Sequence, residues 1–180
     1  MNLISNKKVY RNGKIVLTEK IYKDKKNKVV RVSLSLGRDA VLIIPTDSKK
    51  NFYLSKQKNP ETNKLTFQFP SGGIKDGEQA IVAATREFSE ELGLEGRMIF
   101  LGKIRPFLTL IDLEVSVFLC KGARKQNHRK KLPQEFYEDI RAVTFTKKRL
   151  YSMIRKGQIR DSYTLSALSL LNAYNGKNNN

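Results

Sequence analysis

Residues Gly72–Leu94 read GGIKDGEQAIVAATREFSEELGL, and this stretch organises the rest of the chain. Its periodicity predicts a helix from Glu78 to Leu92, with Ile81, Ala84, Phe88 and Leu92 forming the apolar stripe that faces a core. Glu87 and Glu91 lie one turn apart on another face, and Glu90 sits three residues after Glu87. Asp76 and Glu78 add two more acids, against only Lys75 and Arg86. Like charges at this spacing repel by roughly 0.2–0.5 kcal/mol per pair on an exposed helix. Such a knot of carboxylates stands out in a chain of formal net charge +18. A cation would relieve it, and an all-oxygen donor set suits Mg²⁺ or Mn²⁺.

The approach to the helix supplies a second half of the same site. Pro70-Ser71-Gly72-Gly73 follows a short strand-like run, Thr66 to Phe69. Paired glycines let backbone groups come close to a ligand with no side chain between. Gly77 precedes the helix, whose N-terminal amides attract anions. A glycine loop beside a helix of carboxylates suits a pyrophosphate.

The segment resembles the Nudix box, G-x5-E-x7-R-E-U-x-E-E-x-G-U, where U is a bulky aliphatic residue. Gly72, Glu78, Arg86, Glu87, Glu90, Glu91, Gly93 and Leu94 all fall in register. Phe88 stands where an aliphatic residue is usual, on the stripe expected to face the core. The resemblance implies an α/β fold: an α/β/α sandwich around a mixed sheet, preceded by an N-terminal antiparallel strand arm. A strand-rich start, the KQKNP stretch at 56–60 and the closing GQIRDSYTLSAL segment resemble the branch that hydrolyses ADP-ribose and nucleoside diphosphate sugars. Two departures from that branch favour its broader substrate class over ADP-ribose itself. Gln57-Lys58-Asn59 stands where Gln-Tyr-Arg is usual, and Thr109 and Leu110 stand where a downstream proline is common.

By that resemblance, Glu87, Glu90 and Glu91 hold divalent metal, with the backbone at Ser71 or Gly72 completing the set. Arg86 fixes the orientation of the carboxylates, and Glu78 supports them. Gly72, Gly73, Arg38 and Gln57 are the expected substrate-binding positions. The general base in this branch comes from a loop far along the chain. Glu138 is the first candidate here and Glu135 the second, with Glu90 next if the base lies in the box. A subunit pair joined through the N-terminal strands is also implied.

The remaining sequence bounds the setting. The chain of 180 residues fits one domain with a sizeable core. Hydrophobic residues make up 39% and charged residues 29%, as in ordinary globular proteins, and no apolar run is long enough to span a bilayer. MNLISNKKVYRNG lacks the apolar segment of a signal peptide, and the single cysteine, Cys120, lies in an apolar run. These features point to the cytoplasm. Lysine and arginine total 35 against 17 acids, which fits RNA or another anionic partner and equally a lysine-rich solvated surface. The densest cluster, RKQNHRKK at 124–131, has no interleaved aromatics, so it reads as a loop offering charge to phosphates, with His128 solvated.

Asn12-Gly13 marks a hairpin between Lys8–Arg11 and Lys14–Ile21. Val29–Leu36 alternates as a strand, Ala40–Pro45 reads as a strand buried on both faces, and Phe52–Gln57 returns beside it. Further strands are expected at Met98–Ile104, Leu113–Cys120 and Ile140–Phe145. Lys147–Lys156 reads as a helix ending at Gly157, and Asp161 N-caps a last helix striped by Leu165, Leu168, Leu171 and Tyr174. The expected organisation is a dimerising strand arm over 1–38, a Nudix-like domain over 39–175, and a disordered tail over 176–180. Rival readings are a box enzyme acting on RNA 5′ ends, dinucleoside polyphosphates or oxidised nucleoside triphosphates, and a non-catalytic nucleotide- or RNA-binding module.

Overall fold

The computed structural model describes residues 2–13, 15–23, 27–59, 62–107, 110–126 and 140–177. The run Ala40–Thr46 forms β4, and Val41 to Pro45 are all buried, as a continuous apolar strand requires. Its side chains alternate between two cores. Val41 and Ile43 pack with Ala83, Ala84, Phe88 and Leu92 of α1 (Ala80–Leu92). Leu42 and Ile44 pack with Leu150 and Met153 of α2 (Lys147–Arg155) and with Ala167, Leu168 and Leu171 of α3 (Ser162–Lys177). One sheet with α1 on one face and α2 and α3 on the other is the α/β/α sandwich.

Among the described residues the sheet has seven strands, with β11-β5-β4-β10-β8 in order, β6 added to β5 and β7 added to β4. The members are β5 (Phe52–Lys58), β6 (Leu65–Gln68), β7 (Ser71–Gly73), β8 (Leu94–Ile104), β10 (Val115–Lys125) and β11 (Arg141–Phe145). The sheet is mixed: β10 runs parallel to β4 and antiparallel to β8. A second, four-stranded sheet orders β1 (Asn2–Asn12), β2 (Ile15–Lys23), β3 (Lys28–Ser35) and β9 (Ile111–Asp112). The β1–β2 hairpin turns at Gly13, whose positive φ of 54° suits the Asn-Gly turn. Among the described residues, no helix is long and apolar enough to cross a membrane.

Several expected boundaries move. The helix α1 starts at Ala80 rather than Glu78, because Gly77 takes a left-handed φ of 76° and the Glu78 side chain folds back to accept from the Lys75 amide at 2.9 Å. Ala83 takes the place of Ile81 in the buried stripe; Ile81, in the first turn ahead of the buried positions, is 46% exposed. Glu87 and Glu91 are not on a separate solvated face. At 100° per residue they border the buried one, between Ala83 and Phe88. Strand β10 continues to Lys125, so Arg124 and Lys125 belong to the sheet and not to the basic loop. On α3, Thr164 and Ala167 are buried where Leu165 was expected. That helix also runs on through Gly176 and Lys177, the first two residues of the expected tail. Residues 127–131 of the basic loop, His128 among them, lie outside the described residues, as do Glu135 and Glu138.

Candidate functional site

The site forms where β7 passes beneath α1. Strand β7 is short and pairs with β4 in the register Ser71–Leu42, Gly72–Val41 and Gly73–Ala40. The Ile43 amide donates to the Pro70 carbonyl and the Ile74 amide to the Asp39 carbonyl, both at 2.9 Å, so the glycine segment is tied down at each end. The helix is held over it by its buried stripe. Phe88, 1% exposed, stabilises that contact by roughly 2–3 kcal/mol through burial.

Both glycines make room for a functional side chain. A Cβ on Gly72 would overlap the Glu87 carboxylate, and one on Gly73 would lie 2.5 Å from Nε of Arg38. Ser71, Gly72, Gly73, Arg38 and Glu87, all expected in the site, are thus brought together. Gln57 lies on β5, where its carbonyl accepts from the Thr66 hydroxyl at 3.2 Å. Among the described residues, no hydrogen bond links its side chain to α1.

Arg86 is the hub. Its Nε donates to Glu78 Oε1 at 2.9 Å and a terminal nitrogen donates to Glu78 Oε2 at 2.9 Å, a two-pronged pair. That same terminal nitrogen donates to the Gly73 carbonyl at 3.0 Å, which couples the helix to the glycine strand. The other terminal nitrogen donates to Glu87 Oε1 at 2.6 Å and Glu90 Oε2 at 3.3 Å. These bonds set Arg86 against three carboxylates. Its bond to the Gly73 carbonyl was not anticipated, and no local pattern announces it.

The acids differ in environment. The Arg86 hydrogen bonds, with the Lys75 amide, hold Glu78 well below the usual carboxylate range, at about 2. Burial pushes Glu87 upward against the pull of Arg86. Burial pushes Glu91 up to about 8, although the Ser71 amide donates to its Oε1 at 3.4 Å. Glu90 is the most open of the Arg86 partners, with 39% of its side chain exposed against 15% for Glu87 and 12% for Glu78. Two half-buried carboxylates, Glu87 and Glu91, thus share one guanidinium and one long amide contact. Buried charge of this kind demands compensation.

As placed, no three carboxylate, cysteine or histidine side chains among the described residues stand close enough to cage a metal ion. The donor set nevertheless fits a hard divalent cation. It is all oxygen, lies on adjacent turns of one helix, and is short of positive charge. At Ser71 it is the amide, not the carbonyl, that meets Glu91.

Residues 36–147 match the family model described as NUDIX domain. The chain is 26% identical over 133 residues to the methanol dehydrogenase activator of Bacillus methanolicus, covering 73% of this chain and 71% of that protein. It is 32% identical over 109 residues to the ADP-sugar pyrophosphatase of Mus musculus, covering 54% of this chain. The match spans half of the mouse protein. A crystal structure described as an ADP compounds hydrolase superposes with a TM-score of 0.80 at 18% identity, covering 96% of this chain and 92% of that one. That likeness extends the shared fold through the N-terminal sheet as well as the sandwich.

Proposed function

The chain belongs to the Nudix family and is a pyrophosphatase of that class, and from that premise we propose that it cleaves a nucleoside diphosphate joined to a sugar or similar group. The products are a nucleoside monophosphate and a sugar phosphate. The observation that carries this reading is the Gly72–Glu87 contact, which sets an extended glycine backbone against a half-buried carboxylate. The names of the mouse pyrophosphatase and of the hydrolase of similar fold support the substrate class.

We assign Glu87, Glu90 and Glu91 to divalent metal, Mg²⁺ or Mn²⁺. Bound there, the cation would neutralise the pyrophosphate charge and ease deprotonation of the attacking water. The residues do the rest. Arg86 keeps Glu87 and Glu90 aligned while Glu78 locks the guanidinium plane. The bare Gly72-Gly73 backbone admits the diphosphate, with Arg38 beside Gly73 positioned to meet a phosphate oxygen. Water forms a bond to one phosphorus, the bridging P–O bond breaks, and the water's proton passes to the base. We place that base at Glu138, with Glu135 second. Glu138→Gln lowers kcat by about 10²–10⁴-fold on this assignment and Glu135→Gln much less. If neither loses more than a few-fold, the base lies in the box, with Glu90 first.

We further propose that the arm over 1–38 joins two subunits. Leu3, Ile4, Val9, Tyr10, Ile15 and Val30 in its three strands are half-exposed, more apolar surface than so small a sheet leaves in water without cause. Light scattering at micromolar concentration gives a dimer mass if this holds and a monomer mass if it does not. The lone buried Cys120 supports a reducing, cytoplasmic setting. The substrate class is tested by turnover of nucleoside diphosphate sugars, ADP-ribose, dinucleoside polyphosphates and 5′-triphosphate RNA with Mg²⁺. Preference for the first two supports the proposal; cleavage of RNA ends alone, for which the +18 charge speaks, replaces it.

A further inference from the structure

A second charged feature lies on the other face of the sheet from α1. In the β8–β10 ladder Arg97 stands directly opposite Lys121. Like charges in facing positions destabilise an antiparallel pair. Among the described residues, no ion pair with an acid involves either one; the nearby Glu95 is bonded by Arg124 at 2.9 Å. The ladder shifts register between Lys121 and Arg124, where Gly122 takes a positive φ of 68°. The bulge opens a cleft of about 460 Å³ lined by Glu95, Gly96, Arg97, Lys121, Gly122 and Arg124. Three cations against one acid leave it positive. Lys121 Nζ also sits 5.9 Å from the centre of the Tyr174 ring on α3, which places the cleft's floor on the α2–α3 side.

We propose that this cleft is a docking site for the phosphodiester backbone of single-stranded RNA, separate from the pyrophosphate site. The two facing cations supply what phosphate oxygens need, and the ligand relieves their mutual repulsion. Lys121 and Arg124, both lining the cleft, are three positions apart, roughly 10 Å of strand, a longer reach than one phosphate group can bridge, so a chain of phosphates fits better than a free anion. Tyr174 packs against the core beneath Lys121 Nζ and so holds that cation at the cleft. The +18 net charge raises the encounter rate with any polyanion, while the cleft fixes where it settles. The inference does not depend on which pyrophosphate compound is cleaved beneath α1.

The test measures binding of a labelled oligouridylate of about twenty nucleotides to the full chain across a salt series. Arg97→Ala/Lys121→Ala weakens binding by at least about 10-fold at low salt and makes the log–log salt slope shallower by about 1.4, two phosphate contacts at about 0.7 each. The charge-matched control Lys148→Ala/Arg149→Ala, on α2 beside the opposite sheet edge, leaves the slope within about 0.3 of the parent. Thermal melts of both variants check folding, and Arg97→Gln/Lys121→Gln serves if alanine disturbs it. Equal losses in the two variants, or an unchanged slope in the first, overturn the proposal as diffuse attraction. Saturation by inorganic phosphate at the oligonucleotide's affinity shows a free-anion site instead. Polyglutamate binding as tightly as RNA shows a site for an acidic protein; either result also overturns it.

Discussion

Gly72 and Glu87 occupy the same small volume from two directions. The carboxylate of Glu87 rests where the Cβ of any other residue at position 72 would be. Gly72 is extended within β7, so glycine is needed here for space and not for backbone conformation. Gly72→Ala is therefore expected to displace Glu87 while leaving the sheet intact. Turnover should fall by about 10²-fold, the order of loss from a misplaced reacting group, with little change in melting temperature. Gly77→Ala gives the opposite pattern. Nothing lies within 4 Å of a Cβ there, but its φ is +76°. It should cost about 1 kcal/mol of stability and spare turnover. Parallel melts and rate measurements on the two variants separate these effects.

Arg86→Lys tests the hub. A lysine keeps the charge but cannot make the two-pronged bond to Glu78 while also reaching Gly73 and Glu87. Metal affinity or turnover should drop by about 10–100-fold, as when the residues supporting metal ligands are removed. Isothermal titration with Mn²⁺, beside rates, reads both.

The two shifted carboxylates predict opposite pH effects in metal-free protein. Glu91 has a folded value raised from 4.5 to about 8. The folded state holds that proton more tightly than the unfolded chain, so stability declines as pH rises from near 4.5 through about 8. Glu78 is lowered from 4.5 to about 2. Its contribution is present above 4.5 and disappears as pH falls towards 2. Melting in excess chelator from pH 3 to 9 should show both slopes, with Glu91→Gln flattening the alkaline one and Glu78→Gln the acid one. A divalent cation should raise the melting temperature most at the alkaline end.

Thr164 joins α3 to the entrance of the glycine strand. Its hydroxyl is fully buried and accepts from the Phe69 amide at 3.2 Å, across 95 positions of sequence. Thr164→Val strands that buried amide and should cost about 1–3 kcal/mol, whereas Thr164→Ser keeps the acceptor and should cost less. Urea unfolding of the two variants measures the difference.

Contacts set by local spacing were legible in the sequence, and contacts made across it were not. The spacing put Glu90 one turn from Arg86, the i,i+4 neighbour that it bonds, whereas Glu78 and Glu87, eight and one positions away, were implied as its partners only by the family resemblance. The apolar run at Ala40–Pro45 could only be a strand covered on both faces. Asn12-Gly13 announced its hairpin, and Asp161 its cap, the Thr164 amide donating to it at 2.8 Å. Periodicity also placed Ile81 on the buried side, whereas Ala83 is buried there and Ile81 is 46% exposed. It set Glu87 and Glu91 on a face apart from the apolar stripe, whereas both are half-buried beside that stripe and against β7, a partner brought in by the loop. The pairing of Lys121 with Arg97 and the reach of Thr164 to Phe69 depend on register and topology, which no window of residues contains. The general-base assignment rests on Glu135 and Glu138, outside the described residues.

The central claim is that the carboxylates of α1 act through a divalent cation on a nucleoside diphosphate sugar. Its most direct test is product formation from such a substrate by the parent and by Glu91→Gln, with Mg²⁺ and again in excess chelator. The account predicts a nucleoside monophosphate and a sugar phosphate from the parent with Mg²⁺, none in chelator, and a kcat lower by at least about 10²-fold in the folded variant. Parent turnover that persists in chelator, or a Glu91→Gln enzyme as fast as the parent, would contradict it.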